Sequence, residues 1–432
     1  MCHKRVTRRG GRAIGAALIA LAAACPVVGG DEPLTVERAI VEALAANARL
    51  PMPAIDVSLA AEREREARAE RWLKVAVEGD FIYAPPGYSE AITNLGEARL
   101  QAVVRQPIYA GGALKAGVAR AGAAKEAAAA RYRMAQNDVE LEVRSRFSEL
   151  VAVRTEIEVR RAGLEQLATY RSSLKSRQAA GQGVSADLLK TDVRIELEQA
   201  TVADAEQRAD DARLSLNELM GRDPAGPLVL APLPPPKAPG PAAEGAWAGA
   251  PEIAAAQAAA DAASADVTIA SAERRPRLLF SADGGFLADD TTHLNSRFWD
   301  RFWRDAGYSF ALVFAWPVWD TGAARAREAQ ASLTARQATL QVELERRNAR
   351  LAWEKARSAM QRLYALIEIL SRAVPDARDA YLETESRYRG GAATNLDVLE
   401  AQAASVDAGV RLSDALARYR IAEASLRRWS TP

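Results

Sequence analysis

Among the residues whose type and spacing could do chemistry are the carboxylates Asp397 and Glu400, three positions apart and therefore on one face of a helix. Repeated around a symmetry axis, such a pair would make an acidic ring that favours cations and repels anions. Carboxylate pairs are equally common on solvated helices, so the spacing does not by itself define an acid–base couple. Residue supply argues against catalysis in other ways. The chain has two histidines, His3 and His293, and two cysteines, Cys2 and Cys25, too few for a His/Cys metal cluster. It has no phosphate-cradling Gly-Lys motif, no Gly-x-Ser-x-Gly elbow and no His-Glu-x-x-His pair. The expectation is a protein that is not an enzyme, with no catalytic residue, metal or cofactor.

Composition narrows the class further. Across 432 residues, 57 Lys and Arg balance 56 Asp and Glu, and a net charge of +1 disfavours nucleic acid, whose phosphates demand a cationic surplus. Hydrophobic residues reach 49% while aromatics supply only 6%. The difference is largely Ala interleaved with Arg and Glu, the composition of long helices and coiled coils.

Lys4, Arg5, Arg8, Arg9 and Arg12 precede an apolar run from Ala13 to Ala24. That run is shorter than the roughly 20 residues of a membrane-spanning helix and reads as a secretory signal peptide within residues 1–30. Cleavage after Ala24, cleavage after Gly30 and lipoprotein processing at Cys25 are all compatible with the sequence. In the last case Leu21-Ala22-Ala23-Ala24 serves as an imperfect lipobox. No disulfide is possible in the mature chain, and no apolar stretch beyond Cys25 is long enough to span a bilayer as a helix. A membrane crossing would have to use strands.

The chain is internally duplicated. Gln106-Pro107-Ile108-Tyr109-Ala110-Gly111-Gly112 is echoed by Trp316-Pro317-Val318-Trp319-Asp320-Thr321-Gly322, with Pro107 and Pro317 separated by 210 residues. Ser176-Arg177, Gly181, Asp187 and Leu189 are echoed by Ser386-Arg387, Gly391, Asp397 and Leu399 at the same offset. This predicts a first repeat over 31–221 and a second over 252–432. A proline-rich extended linker over 222–251 joins them. Pro107 with Gly112, and Pro317 with Gly322, mark the predicted strand-to-helix junctions.

Each repeat predicts a helix, a strand pair, a very long helix, a Gly-containing turn and a returning helix. From Ala113 to Ala179 there is no proline, and Val143, Leu150, Ile157 and Leu164 recur every seven residues, a coiled-coil seam. The second long helix is expected from Ala323 to Arg389, kinked or restarted at Pro375. The strands alternate: Tyr308, Phe310, Leu312, Phe314 and Trp316 are separated by smaller residues, and Val75, Val77 and Phe81 by Lys74, Glu78 and Asp80. Apolar side chains on one face and charge on the other fit a lipid-facing wall around a wet lumen. The same alternation also fits a sheet edge on a soluble core. Trp299, Trp303, Trp316 and Trp319 near the last strand favour a membrane-interface girdle. Four strands cannot close a barrel, and open edges are not tolerated in lipid, so subunits must pool strands.

In these features the sequence resembles the TolC family of outer-membrane efflux and secretion factors. The resemblance runs from Pro33-Leu34-Thr35-Val36-Glu37-Arg38-Ala39-Ile40 to Tyr419, and is most specific over Tyr388 to Gln402. It implies a mainly α fold with β. Long antiparallel coiled-coil helices would form an α-barrel, and four strands per chain would enter a twelve-stranded transmembrane β-barrel in a homotrimer. It further implies an exit duct in the cell outer membrane, with a large periplasmic part docked to a periplasmic adaptor and an inner-membrane pump, or serving type I secretion. By resemblance Asp397 and Glu400 narrow the periplasmic entrance, and Asp187 and Tyr388 tie the helical tips together. Ala393 stands where some members carry a basic partner, which leaves Lys190, Arg387 or Arg389 as substitutes. The competing function is a soluble periplasmic coiled-coil adaptor or scaffold.

Overall fold

The computed structural model describes residues 33–83, 96–181, 185–240, 245–288, 291 and 294–430. The predicted signal peptide and Cys25 lie outside them. Helix α1 (Val36–Ala46) is capped by Thr35, whose hydroxyl accepts from Arg38 N at 3.3 Å. It stops before Pro51, which opens α2 (Pro51–Ala69) at a position where a missing N–H costs nothing. Strands β1 (Lys74–Tyr83) and β2 (Gly96–Ala110) follow, then α3 (Ala113–Ala179) and its return α4 (Ser185–Leu219). The second half repeats the order with α5 (Pro251–Ala272), β3 (Arg277–Ala288), β4 (Ala306–Ala315), α7 (Ala323–Arg389) and α8 (Asn395–Ser430). A short helix, α6 (Ser296–Phe302), lies between β3 and β4 and was not expected from sequence.

Helices α3 and α7 are both 67 residues long, about 100 Å at 1.5 Å per residue. The restart expected at Pro375 does not occur: α7 runs through the proline as one helix. Proline removes one backbone donor there, and packing of Met360, Ile367 and Tyr381 against neighbouring helices holds the helix on either side. The heptad seam of α3 is also corrected at its far end. Val143, Leu150 and Ile157 are buried, but Leu164 is half-exposed and Gly163 takes the buried position. A Cβ on Gly163 would come within 2.6 Å of Val406 Cγ2, so α8 crosses α3 too closely for a side chain.

The main core sits where α1, α3, α4 and the linker meet, around Ile40, Val143, Phe147, Leu150 and Leu216. The described part of the linker is extended, apart from a turn at Asp223–Gly226, closed by Gly226 N donating to Asp223 O at 3.0 Å, and a 3₁₀ turn at Ala246–Gly249. A backbone bridge ties its first part, with Leu34 N donating to Val229 O at 2.8 Å and Ala231 N to Leu34 O at 2.9 Å, and side chains add to it. Arg154 Nη2 donates to Leu228 O at 2.9 Å and Tyr419 Oη to Lys237 O at 2.7 Å.

The strands form one antiparallel sheet in the order β1-β2-β3-β4, so the two repeats join through β2 and β3. Directly paired residues share a face. Val75, Val77, Phe81, Phe280, Phe310, Leu312 and Phe314 fall on one, and Glu78, Asp80, Arg99, Arg105 and Asp283 on the other. On the polar face Arg99 meets Asp80 at 2.9 Å, Arg105 meets Glu78 at 2.8 Å and Ser309 donates to Asp283 at 2.8 Å. Among the described residues the outer edges of β1 and β4 have no strand partner.

Candidate functional site

At the end of the molecule far from the sheet, two helical hairpins meet: α3 turning into α4, and α7 turning into α8. Gly181 and Gly391 adopt φ of 75° and 78°, the left-handed values that let each chain reverse after a long helix. Between the hairpins lies a polar knot. Tyr388 Oη donates to Asp187 Oδ2 at 3.3 Å, joining α7 to α4. Tyr170 Oη donates to Asn395 Oδ1 at 2.8 Å, and Asn395 Nδ2 donates to Asp187 O at 3.2 Å, joining α3, α8 and α4. Arg177 donates to Tyr388 O at 3.2 Å and lies 5.1 Å from the centre of its ring. The Tyr170 and Tyr388 rings meet edge to face at 5.5 Å. Burial raises the Tyr388 phenol above the ordinary tyrosine range, and burial raises Tyr170 further still, so both hydroxyls remain donors at neutral pH.

Asp187 and Tyr388 are thus brought together, whereas Lys190 and Arg387 form no ion pair among the described residues. Arg389 turns back onto Glu385 of its own helix. The cation that serves the knot is Arg177. Sequence reasoning missed Tyr170, Arg177 and Asn395. Arg177 was visible only as a member of the duplicated Ser-Arg motif, and a lone tyrosine in a 67-residue helix gives no local signal.

Asp397 has a second occupation. Its Oδ2 accepts from Thr394 N at 2.7 Å while Thr394 Oγ1 accepts from Asp397 N at 3.2 Å, a reciprocal cap on α8. The backbone hydrogen bond from Thr394 holds this carboxylate below its usual range, so it is charged at neutral pH. Glu400 is exposed one turn further on.

The strand-to-helix junctions show why both repeats keep glycine. Gly112 and Gly322 precede α3 and α7 with φ of 95° and 94°. The preceding position is Gly111 in one repeat and Thr321, at φ 54°, in the other. Asp320 Oδ1 and Oδ2 accept from Gly322 N at 3.0 Å and Ala324 N at 2.6 Å, fixing the second turn. Pro107 sits at a register shift between β2 and β3, and Pro317 follows the end of β4. At the opposite end of the strands, Phe298 and Phe302 of α6 pack on Ala98, Ala288 and Phe286 of the apolar face, leaving Trp299 and Trp303 exposed. Among the described residues no helix is long and apolar enough to cross a membrane.

Known structures share this architecture. The outer-membrane channel OprN superposes with a TM-score of 0.79 at 22% identity, over 91% of this chain and 89% of that one. CusC, studied for conformational changes on folding and transmembrane channel formation, gives 0.82 at 19% identity over 91% of each chain. The outer membrane protein VceC of Vibrio cholerae gives 0.79 at 21% identity, over 91% of this chain and 95% of that one. No curated protein sequence matches significantly. Residues 35–222 and 243–430 match the family described as outer membrane efflux protein, one match for each repeat. Matched over both halves and built as a TolC-like duplicated fold, the chain belongs to the outer membrane efflux protein family and is an outer-membrane exit duct for efflux.

Proposed function

We propose that three copies of the chain make one duct, each contributing the four strands to a twelve-stranded barrel and its long helices to a periplasmic tunnel. The observation that carries this is the sheet: its apolar face is exposed and both edges are unpaired, an arrangement lipid does not tolerate in a single chain. Exposed Leu333, Leu340, Leu344 and Leu351 along α7 support the same reading, since heptad-spaced leucines need a facing helix. Removal of residues 1–30, or acylation at Cys25, would precede assembly. The repeats over 31–221 and 252–432 would each supply half of a subunit's wall, with the 222–251 segment strapped around its middle.

The duct does no chemistry. Asp397 and Glu400 narrow its periplasmic entrance, and the knot of Asp187, Tyr388 and their neighbours holds it closed. A periplasmic adaptor and an inner-membrane pump open it and supply the energy. Light scattering and electron microscopy of the detergent-extracted protein test the assembly: a trimeric cylinder with a tapered helical end is expected, and a water-soluble monomer would overturn it. For the entrance, D397A/E400A should weaken divalent-cation block in a planar bilayer. Unchanged block removes these residues as the constriction.

A further inference from the structure

The 210-residue repeat preserves more than the junction glycines. Tyr109 and Trp319 occupy equivalent positions, as do Lys115 and Arg325 in the first turns of α3 and α7. All four are exposed, Tyr109 to 48% and Trp319 to 85%. Tyr109 lies beyond the β1 pairing, which ends at Arg105, and pairs with Leu278 of β3 alone. Lys115 is exposed although α3 is flanked by α5 through Arg120 and Asp266 and by α2 through Lys125 and Glu64. The repeat extends the same outlook to Trp319 and Arg325.

The direction they face follows from register and helix phase. Tyr109 pairs with Leu278, which shares the apolar face of Phe280 and Phe314. On α3, Gly117, Ala121, Ala124 and Ala128 line a concave groove of about 850 Å³ shared with α2 and Ile269 of α5. Lys115 lies two residues from Gly117, about 200° around the helix, on the convex side. The acids close in sequence are already engaged. Glu273 meets Arg327 and Glu328 meets Arg274, each at 2.5 Å, and Asp320 caps α7. Neither Lys115 nor Arg325 pairs with a carboxylate among the described residues. A cation in a first helical turn is also disfavoured by the helix dipole, so nothing among the described residues accounts for either one.

We propose that each chain carries two equivalent docking sites for anionic phospholipid headgroups at the periplasmic rim of the barrel, one at Tyr109 and Lys115 and one at Trp319 and Arg325. The surface continues the bilayer-facing wall, the aromatic ring resting at headgroup depth and the cation meeting the phosphate. The proposal rests on the outer-membrane placement of the strands. Native mass spectrometry of the detergent-extracted full-length protein, with phosphatidylglycerol and phosphatidylethanolamine of matched chains in equal amounts, tests it. The wild type should retain phosphatidylglycerol in preference, up to two per chain. K115Q/R325Q should lower that retention about fivefold for each cation removed while leaving phosphatidylethanolamine unchanged, and the charge-keeping K115R/R325K should behave as wild type. Equal retention of the two lipids, or wild-type retention in K115Q/R325Q, overturns the proposal. A loss seen in K115Q but not in R325Q refutes the second site and gives Arg325 to a neighbouring subunit. The same spectra give the oligomeric mass, so failure of assembly and failure of lipid preference are read separately.

Discussion

If the knot at the helical tips is a latch, its strength lies mainly in Tyr170 and not in the Tyr388–Asp187 pair that the family resemblance highlights. Tyr170 and Asn395 are 1% and 4% exposed and meet at 2.8 Å. Tyr170→Phe removes the donor and leaves Asn395 Oδ1 buried without a partner, at a cost of about 1–3 kcal/mol. With that contact made only in the closed state, the closed-to-open ratio should fall about 5- to 150-fold per chain. Tyr388→Phe breaks a longer contact of 3.3 Å at a half-exposed residue, and its effect should stay at or below about fivefold. Single-channel recording in planar bilayers measures both, with circular dichroism to show that the helices persist. A Y170F duct that stays as closed as wild type while Y388F opens would refute the ranking. If neither variant opens, the knot is packing and not a latch.

The junction offers a paired test. Thr321 holds a left-handed φ that Gly111 holds in the other repeat, so Thr321→Gly should stabilise by about 0.5–1 kcal/mol. Gly111→Ala should destabilise by about 2 kcal/mol, because its Cβ would sit 2.9 Å from Arg275 Cβ and 3.0 Å from Ala272 O. Thermal unfolding of the two variants decides. Glu156, buried in α3, accepts from Arg208 at 3.1 Å and from Arg160 at 2.8 Å. Burial pushes its carboxyl up, but these hydrogen bonds outweigh it, leaving a net lowering from 4.5. Its contribution is therefore present above that unfolded value and is lost as pH falls through the lower folded one. E156Q should cost about 1–2 kcal/mol at pH 7, and the gap to wild type should close as pH falls through the lowered folded-state pKa, as checked by denaturation across pH.

The long-range order of this fold was legible because it is periodic. Heptad apolar residues, alternating strands and a fixed 210-residue offset gave α3 and α7 their observed ends and placed the strand pairs. Features that depend on one-off contacts were not legible. Pro375 is a breaker in isolation, yet the helix continues because neighbouring helices hold both sides of it. Leu164 fits the heptad, yet the close approach of Val406 gives the seam to Gly163. At the tip, Asp187 and Tyr388 came from resemblance, while Tyr170 and Asn395 are 225 residues apart in the chain, beyond any local pattern.

Duplication also explains why the tip is not symmetric. Asp187 and Asp397 are equivalent, as are Arg177 and Arg387. In the first repeat Asp187 accepts from Tyr388, and Arg177 holds that tyrosine's carbonyl and ring. In the second, Asp397 closes the Thr394 cap, and Arg387 makes no direct ion pair among the described residues, acting on Asp397 only through its charge. Equivalent residues have thus been divided between binding the opposite hairpin and stabilising their own helix start. A ring of six identical hairpins would need every hairpin to act as donor and acceptor at once. Two unlike hairpins per chain let one clasp the other; on the proposed reading, a trimer would close by three identical clasps and open by releasing them together.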